Sequence, residues 1–173
     1  MDALQTHFDW AEEKLHVQDR NGDWPKSTQV FQRGIEAMQW SAQEVRRAAT
    51  GCVNTNSCAT GCPKGAKQGV SVALVPEAEA AGARFITGAR AKLLIKSGGK
   101  VTGVLAEITH PEGGSHLVRI DADYVFVCAG PTQTPALLRR SGIKEHIGDT
   151  FQIHPMLKVT ALFDEEIDAH KSV

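Results

Sequence analysis

Asp123-Tyr124-Val125-Phe126-Val127-Cys128-Ala129, followed by Gly130-Pro131-Thr132-Gln133-Thr134-Pro135, is the stretch on which the fold turns. Its first seven residues are almost continuously apolar, as expected of a strand buried on both faces of a parallel sheet. Gly130-Pro131 turns the chain, Thr134 can cap, and Pro135 sits where a first helical turn tolerates proline. Leu137 and Leu138 face inward, and Ser141-Gly142 closes the helix. A helix beginning beneath a buried strand offers free amide donors and the positive end of its dipole, which suits a phosphate or another anion.

Immediately upstream the pattern is short, β-prone and punctuated. Arg84–Thr87, Ala91–Ser97, Val101–Thr109 and His116–Ala122 read as strands. Gly98-Gly99 and Pro111-Glu112-Gly113-Gly114 read as hairpin turns. Further back, Asp9–Val17 reads as a short helix. From Ser27 onward, Phe31, Ile35, Met38, Ala42, Val45 and Ala49 form one stripe of a long amphipathic helix, capped by Ser27 or Thr28 and ended by Gly51. Residues 50–69 are a loop rich in Gly, Asn, Thr and Cys. A further helix runs from about Lys67 to Gly82, with Pro76 breaking or kinking it. The fold class is therefore α/β, a mixture of helices with both parallel-type and antiparallel strands.

Composition narrows the function. The chain has 173 residues, 42% of them hydrophobic, so it is domain-sized and can bury a core. Nineteen Lys and Arg against twenty Asp and Glu leave a net charge of −1, without the basic excess of a nucleic-acid binder. No apolar run approaches the roughly eighteen residues of a membrane span. The first residues, Met1-Asp2-Ala3-Leu4-Gln5-Thr6-His7, show no signal peptide, so the expected location is cytoplasmic.

Three of the four cysteines, Cys52, Cys58 and Cys62, fall in one eleven-residue window as C-x5-C-x3-C-P. Thiolates on a Gly-rich loop are soft ligands for zinc or an iron–sulfur cluster. Three thiols fall short of a four-thiolate site, however, and buried cysteines commonly serve as packing. The seven histidines show no metal-ligand spacing. His154-Pro155 is the one in a suggestive context, and no Ser-His-Asp or G-x-S-x-G arrangement points to a hydrolase.

Several segments together resemble the glucose–methanol–choline family of flavin-dependent oxidoreductases. Gly61-Cys62-Pro63-Lys64-Gly65-Ala66-Lys67-Gln68, with Leu74-Val75-Pro76-Glu77-Ala78, resembles the family's central block. The run from Gly130 to Ile143 resembles its second signature, which expects a glycine next where this chain has Lys144. Gly148-Asp149, His154-Pro155, Phe163-Asp164-Glu165 and the helix Trp10–Leu15 continue the likeness over nearly the whole chain.

The resemblance implies a partial FAD-binding doubly wound fold joined to part of an antiparallel-sheet substrate domain. It divides the chain into a helical and Cys-loop segment (1–82), a strand meander (83–122), an FAD-domain strand-turn-helix (123–150) and the start of a substrate domain (151–173). It implies FAD as cofactor, with Ala91 at the adenine and Ala129, Gly130 and Thr134 close to the same group. The implied reaction is oxidation of the CH–OH group of an alcohol or sugar by hydride transfer to flavin, with an electron acceptor that the sequence does not identify. No residue of the chain is assigned as catalytic, because the family's catalytic histidine lies in a later block.

The G-x-G-x-x-G turn that cradles a pyrophosphate is absent from these residues. The chain by itself is therefore expected to be inactive and to bind FAD weakly or not at all, with apolar surface left uncovered. Some sugar dehydrogenases of the family carry a three-iron cluster on a similar loop, which makes Cys52, Cys58 and Cys62 candidate ligands of an iron–sulfur cluster. Two other readings stand beside the enzyme: an iron–sulfur electron-transfer module and a non-catalytic remnant.

Overall fold

A computed structural model describes residues 2–20 and 22–171. The chain divides into two units, Met1–Arg84 with Thr160–Val173, and Phe85–Val159.

The first unit is mainly helical. Helix α1 spans Asp2–Lys14, starting earlier and ending sooner than its apolar pattern suggests. His16 leaves it with a left-handed backbone, φ 48°. Helix α2 spans Lys26–Ala37 and is capped by Pro25 rather than by Ser27 or Thr28. The amides of Thr28 and Gln29 turn back onto the Pro25 carbonyl, at 2.9 and 3.1 Å.

The long helix expected through Ala49 stops at Ala37. Trp40 N–H donates to the Ile35 carbonyl and Gln39 N–H to Glu36, both at 3.0 Å, while Gln39 takes φ 56°. This is a Schellman closure with glutamine in the position glycine usually holds, so no glycine marks it in the sequence. The residues beyond it are drawn into tertiary pairing. Arg47–Ala48 forms strand β2, antiparallel to β1 (Val17–Gln18), and Ala49 bridges to Lys67. Val45, a member of the predicted stripe, is 80% exposed.

The next helix is broken as expected. Helix α3 (Val70–Ala73) ends at Leu74, and α4 (Val75–Ala80) restarts with Pro76 in its first turn, where the missing amide costs nothing. Glu165 clasps the return segment onto α2 through Lys26 (2.7 Å) and Arg33.

The second unit is a three-stranded antiparallel meander with one helix against it. Strands β3 (Ala89–Ser97), β4 (Lys100–Thr109) and β5 (Ser115–Asp121) lie in sequence order. Ser97 pairs Lys100 across Gly98-Gly99, whose φ values of 58° and 80° match a type I′ hairpin. Gly103, in the middle of β4, is required by a close approach. A β-carbon there would lie 2.3 Å from the Ile120 carbonyl oxygen on β5.

Helix α5 (Gly130–Arg140) packs against β3, and its Leu137 is buried, as are Leu94 on β3 and Ala106 on β4. The two leucines each contribute about 1.5–3 kcal/mol by burial. The helix ends in a Schellman motif: Ile143 N–H donates to Leu138 O at 3.0 Å and Gly142 N–H to Arg139 O at 3.1 Å.

The mixed class of helices and antiparallel sheets is as the sequence reads, but two expected strands are not formed. Arg84–Thr87 and 123–129 enter no ladder among the described residues. In the latter segment Val125 and Val127 are half-buried, while Tyr124 and Phe126 are 84% and 87% exposed. A strand exists through ladder hydrogen bonds to a neighbouring strand, and the described residues supply none of these to this segment. The apolar segment Ile153–Leu162 is likewise uncovered: Leu157 and Val159 are more than nine-tenths exposed.

Candidate functional site

The amino end of α5 brings together three of the residues singled out for a cofactor: Ala129, Gly130 and Thr134. Ala129 is the N-cap, and its N–H donates to the Thr134 hydroxyl at 3.0 Å. Thr134 thus caps from inside the helix, not from its start. Gly130 takes φ 77°, a left-handed step that lets the chain pass directly from an extended run into the helix. Nothing lies within 4 Å of where its β-carbon would be, so the backbone there is open to close approach.

Pro131 has no amide, and Gly130 and Thr132 have no acceptor within the helix. No acidic residue occupies the first turn. An exposed helix start with free donors and no carboxylate in its first turn suits an anionic group such as a nucleotide phosphate. Beside it lies a cavity of about 310 Å³ in the same unit, whose walls include Pro131, Thr134, Leu138, Ile147 and Phe151. Arg139 holds that wall in place, donating to the Ile147 carbonyl and to Asp149, each at 2.6 Å.

Ala91 is not brought to this group by any hydrogen bond among the described residues. It lies on β3, beside Lys92, whose carbonyl accepts from Arg140 at the opposite end of α5 (3.4 Å). The helix from Gly130 to Arg140 is about 16 Å long at 1.5 Å per residue, which separates the two places.

At that far end Ser141 does what no sequence motif announced. Its hydroxyl is buried, accepts the Leu94 N–H at 2.9 Å and donates to the Leu137 carbonyl at 2.7 Å. Since β3 is an edge strand, Ser141 and Arg140 supply partners that no neighbouring strand does. His154 is exposed, its Nδ1 3.1 Å from the Pro155 carbonyl, and nothing in its surroundings marks it as a proton carrier.

In the other unit Cys52, Cys58 and Cys62 line one cavity of about 290 Å³, and all three are free thiols. Arg20, Arg47, Lys64 and Lys67 contribute to the same walls. The Cys62 thiol is held below its ordinary range by the backbone amide of Lys67 and then that of Lys64, against some desolvation, with Ala66 and Gly65 adding to it. The loop Cys62-Pro63-Lys64-Gly65 folds back through Gly65 N–H to the Cys62 carbonyl (3.1 Å), which turns these amides toward the sulfur. Lys67 also reaches the Cys58 carbonyl with its ammonium group at 2.8 Å. Cys52 is engaged elsewhere: its sulfur accepts the Asn54 N–H at 3.5 Å and lies 3.7 Å from Asn54 Oδ1.

The expected metal site is not supported by this geometry. Among the described residues no group of three His, Cys, Asp or Glu side chains is placed to hold a metal ion. The three sulfurs line one cavity, but Cys58 is exposed and Cys52 is tied to Asn54. The nest of amides at Cys62 was not foreseen either; the only sequence signal for it is Pro63-Lys64-Gly65, a turn placed directly after a cysteine. No described helix is long and apolar enough to cross a membrane.

Comparison with known proteins agrees with the resemblance. The family model described as GMC oxidoreductase matches residues 1–156. An uncharacterized GMC-type oxidoreductase of Sinorhizobium fredii is 39% identical over 171 residues, which is 99% of this chain and 34% of that protein. One of Mycobacterium tuberculosis is 36% identical over 181 residues, 99% of this chain and 27% of its own length. A long-chain-alcohol oxidase of Arabidopsis thaliana is 26% identical over 147 residues, 80% of this chain and 20% of that enzyme. The chain thus spans about a third or less of the length of the curated relatives it matches. No solved structure matches it. With the family model matching residues 1–156 and relatives of 36–39% identity covering 99% of its length, the chain belongs to the GMC oxidoreductases.

Proposed function

We propose that this chain contributes the adenine-side wall of an FAD site, and part of a substrate domain, to an oxidoreductase acting on the CH–OH group of an alcohol. The observation that carries the reading is the start of α5: an exposed glycine turn with free amides and no acidic residue in its first turn. Gly130 and Thr132 offer N–H donors to the nucleotide, Thr134 holds Ala129 in the turn, and the backbone at Ala91 meets the adenine. Bound flavin would supply a hydride acceptor for the carbinol carbon, while a base outside these residues takes the hydroxyl proton.

The alcohol follows from relatives that are named long-chain-alcohol oxidases; a sugar is the other substrate class consistent with the family. Along the chain, 1–82 is the helical and Cys-loop segment, 83–122 the meander, 123–150 the cofactor turn and helix, and 151–173 the start of the substrate domain.

The test is an NMR titration of the chain with AMP, FAD and riboflavin. FAD, at millimolar concentration, is expected to shift the amide resonances of Ala91, Ala129, Gly130 and Thr132, and AMP, too short to span the helix between them, that of Ala91 alone. Riboflavin, which lacks the adenine, should leave them in place. Shifts elsewhere, or equal shifts with riboflavin, would refute the site. Tight stoichiometric binding of FAD would refute the expectation that the pyrophosphate turn is needed for affinity.

A further inference from the structure

The cysteine loop combines three features that a packing role does not require. Its three thiols open onto a single cavity, four cationic side chains contribute to that cavity's walls, and successive amides from Lys64 to Lys67 are turned toward one sulfur. One of those cations is short of partners: Arg20 Nε is buried without a hydrogen-bond acceptor among the described residues. Such surroundings stabilise negative charge on sulfur.

We propose that the loop is a dithiol–disulfide site in which Cys62 is oxidised by a peroxide and Cys58 resolves the product. Cys58 is the resolving partner because Lys67 links the two positions. Its amide faces the Cys62 sulfur and its ammonium group holds the Cys58 carbonyl at 2.8 Å. The Ser57 carbonyl, accepting from Thr60 and Gly61 N–H at 3.1 and 2.9 Å, folds the intervening residues into a turn that returns the chain toward Cys62. Cys52 is held apart by Asn54.

In the first step the Cys62 sulfur attacks one oxygen of the peroxide. An S–O bond forms, the O–O bond breaks, and the departing hydroxide or alkoxide takes up the proton that the Cys62 thiol released. In the second step the Cys58 sulfur attacks the sulfenic sulfur, the S–S bond forms, and the S–O bond breaks with loss of water. Two thiols and one peroxide thus become one disulfide, one water and one further water or alcohol. Two electrons pass from sulfur to oxygen.

The experiment treats the whole chain, reduced and metal-free, with one equivalent of hydrogen peroxide and maps its peptides by mass spectrometry. Cys128 is the internal reference, an exposed free thiol outside the loop. A Cys58–Cys62 disulfide is expected, two hydrogens lighter, with Cys52 and Cys128 still alkylatable. Cys62 should be consumed about tenfold faster than Cys128. In Cys58→Ser, dimedone should trap the sulfenic acid on Cys62. Equal rates at Cys62 and Cys128, or a disulfide between Cys52 and Cys62, would overturn the assignment. Iron and acid-labile sulfide copurifying on these thiols would overturn it as well. The peptide map of the unsubstituted chain decides the matter even where Cys58→Ser fails to fold.

Discussion

Replacing Ser141 with alanine isolates the joint between helix α5 and the edge of the meander. The hydroxyl is 7% exposed as a residue, and it accepts the N–H of Leu94, itself 6% exposed. Alanine leaves that amide buried without its acceptor, a loss of about 1–3 kcal/mol in a site closed to water. The second bond, from the hydroxyl to the Leu137 carbonyl, matters less, because that carbonyl also accepts the Ser141 N–H at 3.0 Å. A central figure of about 2 kcal/mol corresponds to roughly a 30-fold shift in the opening equilibrium of the unit.

Hydrogen exchange reads this directly, because it reports Phe85–Val159 separately from the helical unit. Amides of Leu94, Ile95 and the α5 carboxyl turn should exchange about 30-fold faster in Ser141→Ala, while those of α2 are unchanged. Ser141→Thr retains the hydroxyl and should recover most of the protection, provided its methyl group is accommodated. Unchanged exchange at Leu94 in the alanine variant would show that the edge of β3 is satisfied by other means, and the account of how α5 docks would fall.

The other expectations concern turns, charge and surface. Gly130→Ala forces a β-carbon onto φ 77°, which costs about 1–2 kcal/mol although nothing sterically opposes it, and circular dichroism should show α5 fraying at its start. Lys26 and then Arg33 hold the Glu165 carboxyl below its ordinary range, so its folded-state pKa is depressed. The clasp is therefore fully present above the unfolded carboxylate pKa and is lost as pH falls through the folded one. Glu165→Gln should lower thermal stability slightly at pH 7, less in high salt, and not at all at the acid end. Tyr124→Ser with Phe126→Ser should reduce concentration-dependent association in sedimentation, since both rings are more than four-fifths exposed in the chain alone.

Much of this protein was legible from local pattern. The hairpin at Gly98-Gly99, the break at Pro76, the glycine turn into α5 and the glycine closure after Ser141 are each set by the backbone freedom of one or two residues. Those preferences act without a partner, so they can be read along the chain. The family likeness was legible for the same reason: its signatures are runs of turn residues.

What the tertiary structure decided lies where long-range partners choose among local options. Helix α2 stops at Ala37 because Gln39 accepts a left-handed backbone and Arg47–Ala48 is claimed by β1. The stripe that continued to Ala49 cannot register such a competitor. The apolar run at 123–129 announces burial but not by what, and among the described residues it enters no ladder. The three cysteines could be counted in the sequence, yet only the folded loop shows that amides converge on Cys62 and that Asn54 occupies Cys52. Residue type determined which chemistry was available. The directions in which hydrogen-bonding groups point, set by contacts far along the chain, determined which residues could share it.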